Sequence, residues 1–107
     1  MRILLDECVP RPLRRELPGH DVRTIREMGW AGKKNGELLA LMAGAGFDVL
    51  LTVDQNLRYQ QNLATAEVAV VVMVALSNRL DDLLPLVPLV DGVLGRIQAG
   101  DVVEVQI

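Results

Sequence analysis

The sequence predicts an α/β fold with a mainly parallel central sheet of about five strands. Three observations predict it. Short aliphatic runs alternate with helical segments along all 107 residues. The run 68–75 has no polar position, as a strand covered on both faces requires. Proline and glycine signals such as Pro18-Gly19 and Gly100 separate the segments. No repeat, low-complexity tract or linker interrupts the chain, so residues 1–107 are expected to form one domain.

Each element has its own local reason. Arg2-Ile3-Leu4-Leu5 is a short apolar run ending at Asp6-Glu7 and reads as a buried strand. Pro10 and Pro12 open a helix to about Leu17, because proline fits the first turn, and Pro18-Gly19 stops it. His20 to Ile25 alternates as a second strand, and Met28 to Gly36 is a loop rich in glycine and lysine. A helix spans Gly36 to Ala45, with Asn35 as N-cap and Gly44 and Gly46 at its end. Phe47 to Val53 is a third strand, and the polar segment from Asp54 to Ala66 reads as a helix. Val68 to Ala75 is the fourth strand. Ser77-Asn78 can cap a last helical region with Asp81 and Asp82 in its first turn, kinked or divided by Pro85 and Pro88. Leu83, Val87, Val90, Leu94 and Ile97 form one apolar stripe there, and Leu86, Leu89 and Val93 form a second. Val102 to Ile107 is a final strand.

Composition removes several function classes. Aromatics are 3%, so the core must be aliphatic, built from 18 Leu and 15 Val. One cysteine, Cys8, excludes a disulfide framework and a cysteine zinc site. One histidine, His20, excludes a multi-histidine metal centre; both are read as structural. The apolar run 68–76 is far short of the roughly 20 residues of a membrane helix. No signal-peptide pattern opens the sequence, so a cytoplasmic protein is expected. The net charge of −3 argues against a simple basic clamp for nucleic acid. It conceals a split: residues 1–34 carry +3 and residues 35–107 carry −6.

Ligands of open α/β sheets sit beyond the carboxyl ends of the strands. Asp6 follows the first strand, Glu7 adjoins it, Asp54 follows the third, and Glu37 lies in the first turn of the helix feeding the third. With strands one and three adjacent, these carboxylates converge and repel unless a cation is present. Hard carboxylate oxygens suit Mg²⁺ or Mn²⁺. Acids after strands also serve as caps and loop residues, so both readings stand at this level.

Leu4-Leu5-Asp6-Glu7 with Pro10, a helix-start acid, and Leu50-Leu51-Thr52-Val53-Asp54 together resemble the PIN-like nuclease family. More narrowly they resemble a small group related to bacterial toxin–antitoxin ribonucleases. The resemblance covers about residues 1–75. It implies a three-layer α/β/α (Rossmann-like) domain and Mg²⁺- or Mn²⁺-dependent cleavage of single-stranded RNA. An antitoxin protein is the partner it suggests. Asp6 matches the first metal-binding acid, Asp54 and Thr52 match the Thr-x-Asp motif, and the helix-start acid falls on Glu37 or on Asn35. Asn56 stands where many relatives have a further Asp, and the mid-chain acid of larger nucleases has no counterpart. These departures leave two-metal, one-metal and purely binding forms open.

The flanks of the site suit nucleic acid. Trp30, Lys33 and Lys34 share one loop, and Arg58, Tyr59 and Gln61 follow Asp54. Arg11, with Arg14 and Arg15, could form a basic rim. Alternatively, Trp30 caps the core, the Gln/Asn run is a solvated helix face, and the arginines make surface ion pairs with Glu16, Asp21 and Glu27, the safer reading for Arg23 and Arg26. Two other classes compete. A phosphoacceptor receiver domain also places acids after strands one and three, with Ser77 as its hydroxyl switch, but no basic residue follows Arg96. A non-catalytic binding module would use the doubled apolar stripe, with a homodimer the expected assembly.

Overall fold

Residues alternate in direction along each apolar run, so one run feeds two cores. In the computed structural model, which describes residues 1–56 and 67–107, both cores are filled. Ile3, Leu5, Val49, Leu51, Ala69, Val71 and Met73 face one side, and Leu4, Leu50, Val70 and Val72 face the other. The sheet between the layers contains β1 (Arg2–Leu5), β2 (Asp21–Thr24), β3 (Val49–Thr52), β4 (Ala69–Met73) and β5 (Val102–Val105). Its order among the described residues is β2-β1-β3-β4-β5, and every pairing is parallel. Residues of β3 and β4 are buried throughout, as expected for strands covered twice.

Helix α1 (Asn35–Gly44) covers the Leu4 and Leu50 face through Leu38, Leu39 and Met42. The opposite face packs against Leu13 and Leu17 and against the C-terminal helices α2 (Leu80–Leu83) and α3 (Val87–Leu94). The result is a three-layer α/β/α domain.

Several boundaries differ from the sequence expectations. The first helix is a 3-10 segment, Arg11–Glu16, with Leu13 N–H donating to the Pro10 carbonyl at 3.1 Å. Two prolines at its start and Pro18-Gly19 at its end leave too few residues for a stable α nucleus. The N-cap of α1 is Lys34 rather than Asn35, which occupies the first helical position, and no side chain caps this end. Gly46 ends the turn after α1 at φ +80°, where a side chain would be strained. Arg79, not Ser77 or Asn78, precedes α2; Ser77 Oγ instead accepts the Arg79 N–H at 3.0 Å and donates to Asp82 at 2.5 Å. Pro85 and Pro88 divide the last helical region through a 3-10 turn, Leu84–Leu86. The second apolar stripe is mostly consumed by the core: Leu86 is 2% exposed and Val93 5%, while Leu89 stays 42% exposed. Of the second stripe, only Leu89 is left for contacts outside the core. The helix read over 54–66 lies largely outside the described residues. Among the described residues, no helix is long and apolar enough to cross a membrane.

Candidate active site

The chain passes from β1 to β2 on one side and later to β3 on the other. The carboxyl ends of β1 and β3 therefore open at a topological switch point, where such sheets form a crevice. Leu5 is in register with Leu51, and the Asp6 N–H donates to the Leu51 carbonyl at 3.0 Å. Asp6 is thus fixed beside the end of β3. Thr52, fully buried, joins the two acids: its hydroxyl donates to Asp6 Oδ2 at 2.7 Å and accepts the Asp54 N–H at 3.0 Å. A carboxylate can only accept, so the single hydroxyl proton is committed to Asp6. Cys8 Sγ lies 3.7 Å from the same oxygen, and burial pushes its thiol above the usual range. Asp6 Oδ1 accepts the Glu7 N–H at 2.8 Å, and Asp54 Oδ1 accepts the Asn56 N–H at 3.0 Å in an Asx turn.

Thr52→Val keeps the shape but removes the hydroxyl's bonds to Asp6 and Asp54 and its contact with Cys8. The Asp54 N–H and one Asp6 oxygen lose their partner, which is expected to cost about 1–3 kcal/mol of stability. Thr52→Ser should retain most of it; urea unfolding of both variants checks this.

Neither Asp6 nor Asp54 is ion-paired among the described residues. Two carboxylates fit Mg²⁺ or Mn²⁺, which keep several waters and take one or two protein carboxylates plus substrate phosphates. Among the described residues, no group of three or more His, Cys, Asp or Glu could hold a metal ion, so Asp6 and Asp54 stand as a pair without a third such ligand.

The remaining candidates are placed as follows. Glu7 Oε1 accepts the Gly32 N–H at 3.0 Å, which ties the loop after β1 to the glycine-rich loop. Glu37 does not join the acids: it is exposed and pairs at 3.3 Å with Lys33, which lies just ahead of α1. Asn35 is half-buried, and Lys34 is exposed. Trp30 stands edge-on to Phe47, with centroids 5.8 Å apart, and caps the α1-side core rather than standing free in its loop. Arg58, Tyr59 and Gln61 lie outside the described residues. Asn78, read from sequence as a cap, instead donates to the Cys8 carbonyl at 3.1 Å and anchors the loop that carries Asp6.

A cleft of about 680 Å³ opens on the β2 side of Asp6. Asp6, Glu7, Arg11, Arg26 and Glu27 supply its charged lining over Leu5, Val9, Pro10, Ile25 and Ala31. Arg26, expected from the sequence to make a surface ion pair, makes none among the described residues. The signal that places it is Thr24-x-x-Glu27, a capping-box pattern. The Thr24 N–H donates to Glu27 Oε1 at 2.9 Å, and the Glu27 N–H donates to Thr24 Oγ1 at 3.1 Å. This closed turn follows β2 directly and carries Arg26 to the cleft. Arg23 makes the surface pair expected of it, with Asp21 at 2.9 Å, and Arg14 pairs with Glu27 rather than joining a basic rim.

The Thr24 N–H and the Arg14 guanidinium hold the Glu27 carboxyl down at about 2, from an ordinary 4.5. A carboxyl depressed on folding stabilises above its unfolded pKa, and that stability is lost as pH falls through the folded value. Wild-type urea midpoints should therefore fall between about pH 4.5 and 2 more steeply than those of Glu27→Gln.

Fold and site together define a doubly wound α/β domain with a carboxylate pair at its switch point. The sequence pattern of the PIN-like domain family matches residues 1–78, and the chain belongs to that family, whose members are generally nucleases. No match was found among curated proteins or among solved structures.

Proposed function

We propose that this protein is a divalent-cation-dependent ribonuclease acting on single-stranded RNA, with Asp6 and Asp54 as the residues that would hold Mg²⁺ or Mn²⁺. The observation that carries the reading is the Asp6–Thr52–Asp54 network: two acids without a cationic partner among the described residues, one buried hydroxyl donating to the Asp6 carboxylate and accepting the Asp54 backbone N–H. The cation, when bound, supplies charge stabilisation and an activated water for phosphodiester hydrolysis. Thr52 holds the Asp6 carboxylate in place and aligns the Asp54 backbone with it. The Asn56 N–H orients Asp54, and the Cys8 thiol with Asn78 fixes the loop behind Asp6. A toxin role with an antitoxin partner extends this reading through the family resemblance.

The strand order favours a second reading. Phosphoacceptor receivers share the order 2-1-3-4-5. Fold alone does not decide between the two, but no basic residue follows Arg96 to complete a receiver site. Incubating labelled single-stranded RNA with the protein in Mn²⁺ and in EDTA tests the proposal. Cleavage in Mn²⁺ alone is expected. No cleavage in either, together with labelling of Asp54 by acetyl phosphate, would favour the receiver.

A further inference from the structure

The cleft beside Asp6 is more than the edge of the acid pair. Its volume, about 680 Å³, lies in the range of roughly 300–1,000 Å³ typical of small-ligand sites. Its floor is apolar, from Leu5, Val9, Ile25 and Ala31, so it can take a base or a ribose face. Its charges are unequally committed. Glu27 is neutralised by Arg14, and Glu7 is engaged by the Gly32 N–H. Arg11 and Arg26 are exposed and have no acidic partner among the described residues. Arg11 sits at the start of the 3-10 segment after β1, and Arg26 sits in the turn after β2. Two free guanidiniums from different elements thus border one cleft that Asp6 also lines.

We infer that this cleft seats the nucleotide next to the scissile phosphodiester, with Arg11 and Arg26 holding its phosphate. The strand then crosses the carboxyl edge from the β2 side toward β3, passing Asp6 before Asp54. Guanidiniums suit a phosphate because their fixed N–H fork matches its oxygens. This inference rests on the nuclease reading, which supplies the scissile bond. It adds Arg26 to the rim that the sequence offered through Arg11, makes both positioning residues, and gives the strand a path across the edge.

The test separates the two claims. Binding of a fluorescein-labelled single-stranded oligoribonucleotide is measured by anisotropy in EDTA across a salt series, so no cation contributes. Cleavage is measured separately in Mn²⁺. Arg11→Gln and Arg26→Gln are each expected to weaken binding about tenfold and to reduce the log–log salt slope by about 0.7, the share of one phosphate on a single strand. Arg96→Gln is the control: Arg96 lies against β5, the strand farthest from β2 and its cleft, and should bind as wild type. Arg26→Lys should restore the slope, because it restores the charge, and thermal midpoints confirm that each variant is folded. If both Gln variants bind with wild-type affinity and slope while wild type cleaves, the cleft assignment is wrong and the nuclease reading stands. If binding depends on both arginines but wild type does not cleave, the cleft binds a strand and the nuclease reading fails. A wild type that neither binds nor cleaves overturns both.

Discussion

Asp54→Asn is expected to lower Mn²⁺-dependent cleavage of single-stranded RNA at least about a hundredfold while leaving the fold intact. A bound cation supplies several kcal/mol of transition-state charge stabilisation, and each 1.36 kcal/mol is about tenfold in rate. Losing a single carboxylate ligand need remove only part of that to reach a hundredfold. The substitution is nearly isosteric. An asparagine oxygen can still accept the Asn56 N–H that Asp54 Oδ1 accepts at 3.0 Å, so the Asx turn survives. Asp6→Asn should lose activity comparably but also some stability. Asp6 accepts on both oxygens, from the Thr52 hydroxyl and the Glu7 N–H, and an amide can offer only one acceptor. The difference is readable by pairing initial cleavage rates with urea midpoints. Loss of activity in Asp6→Asn alone would assign the chemistry to one carboxylate and exclude a shared cation.

The largest expected stability loss is at Leu50. It is fully buried in β3, the middle strand, paired in register with Leu4 on one side and Val70 on the other. It also packs in the α1-side layer with Met42 and Phe47. Leu50→Ala removes buried methyl groups where three close-packed elements cannot easily collapse, which costs about 2–5 kcal/mol. A domain of this size has only about 5–15 kcal/mol in total. The variant should unfold at a much lower urea concentration. Leu89→Ala, at a site 42% exposed, should stay within about 0.5 kcal/mol of wild type.

The sheet was legible because its strands are covered on both faces. Residues 49–52 and 69–73 are apolar almost without interruption, and turn residues bracket them. Asp6 and Asp54 were legible for the same reason, since each follows the end of such a run. Their adjacency was not, because periodicity assigns faces and leaves strand order open. Glu37 shows another limit. A helix-start acid is easy to recognise, but one residue of helical register turns a side chain by about 100°. Here the carboxylate faces Lys33. Trp30 depends on Phe47, a contact across 17 positions that no local pattern contains. The charge split acquired a physical meaning only in three dimensions. Arg2 is used at the far edge of the sheet, against Asp21 and over the Phe47 ring at 4.4 Å. Arg11 and Arg26 remain in the cleft that Asp6 lines.

The most direct test of the central claim, that Asp6 and Asp54 together hold one divalent cation, is calorimetric titration of the metal-free protein with Mn²⁺. Wild type should bind one equivalent, and both Asp6→Asn and Asp54→Asn should lose that binding. Undiminished binding in both variants would place the cation elsewhere and contradict the account.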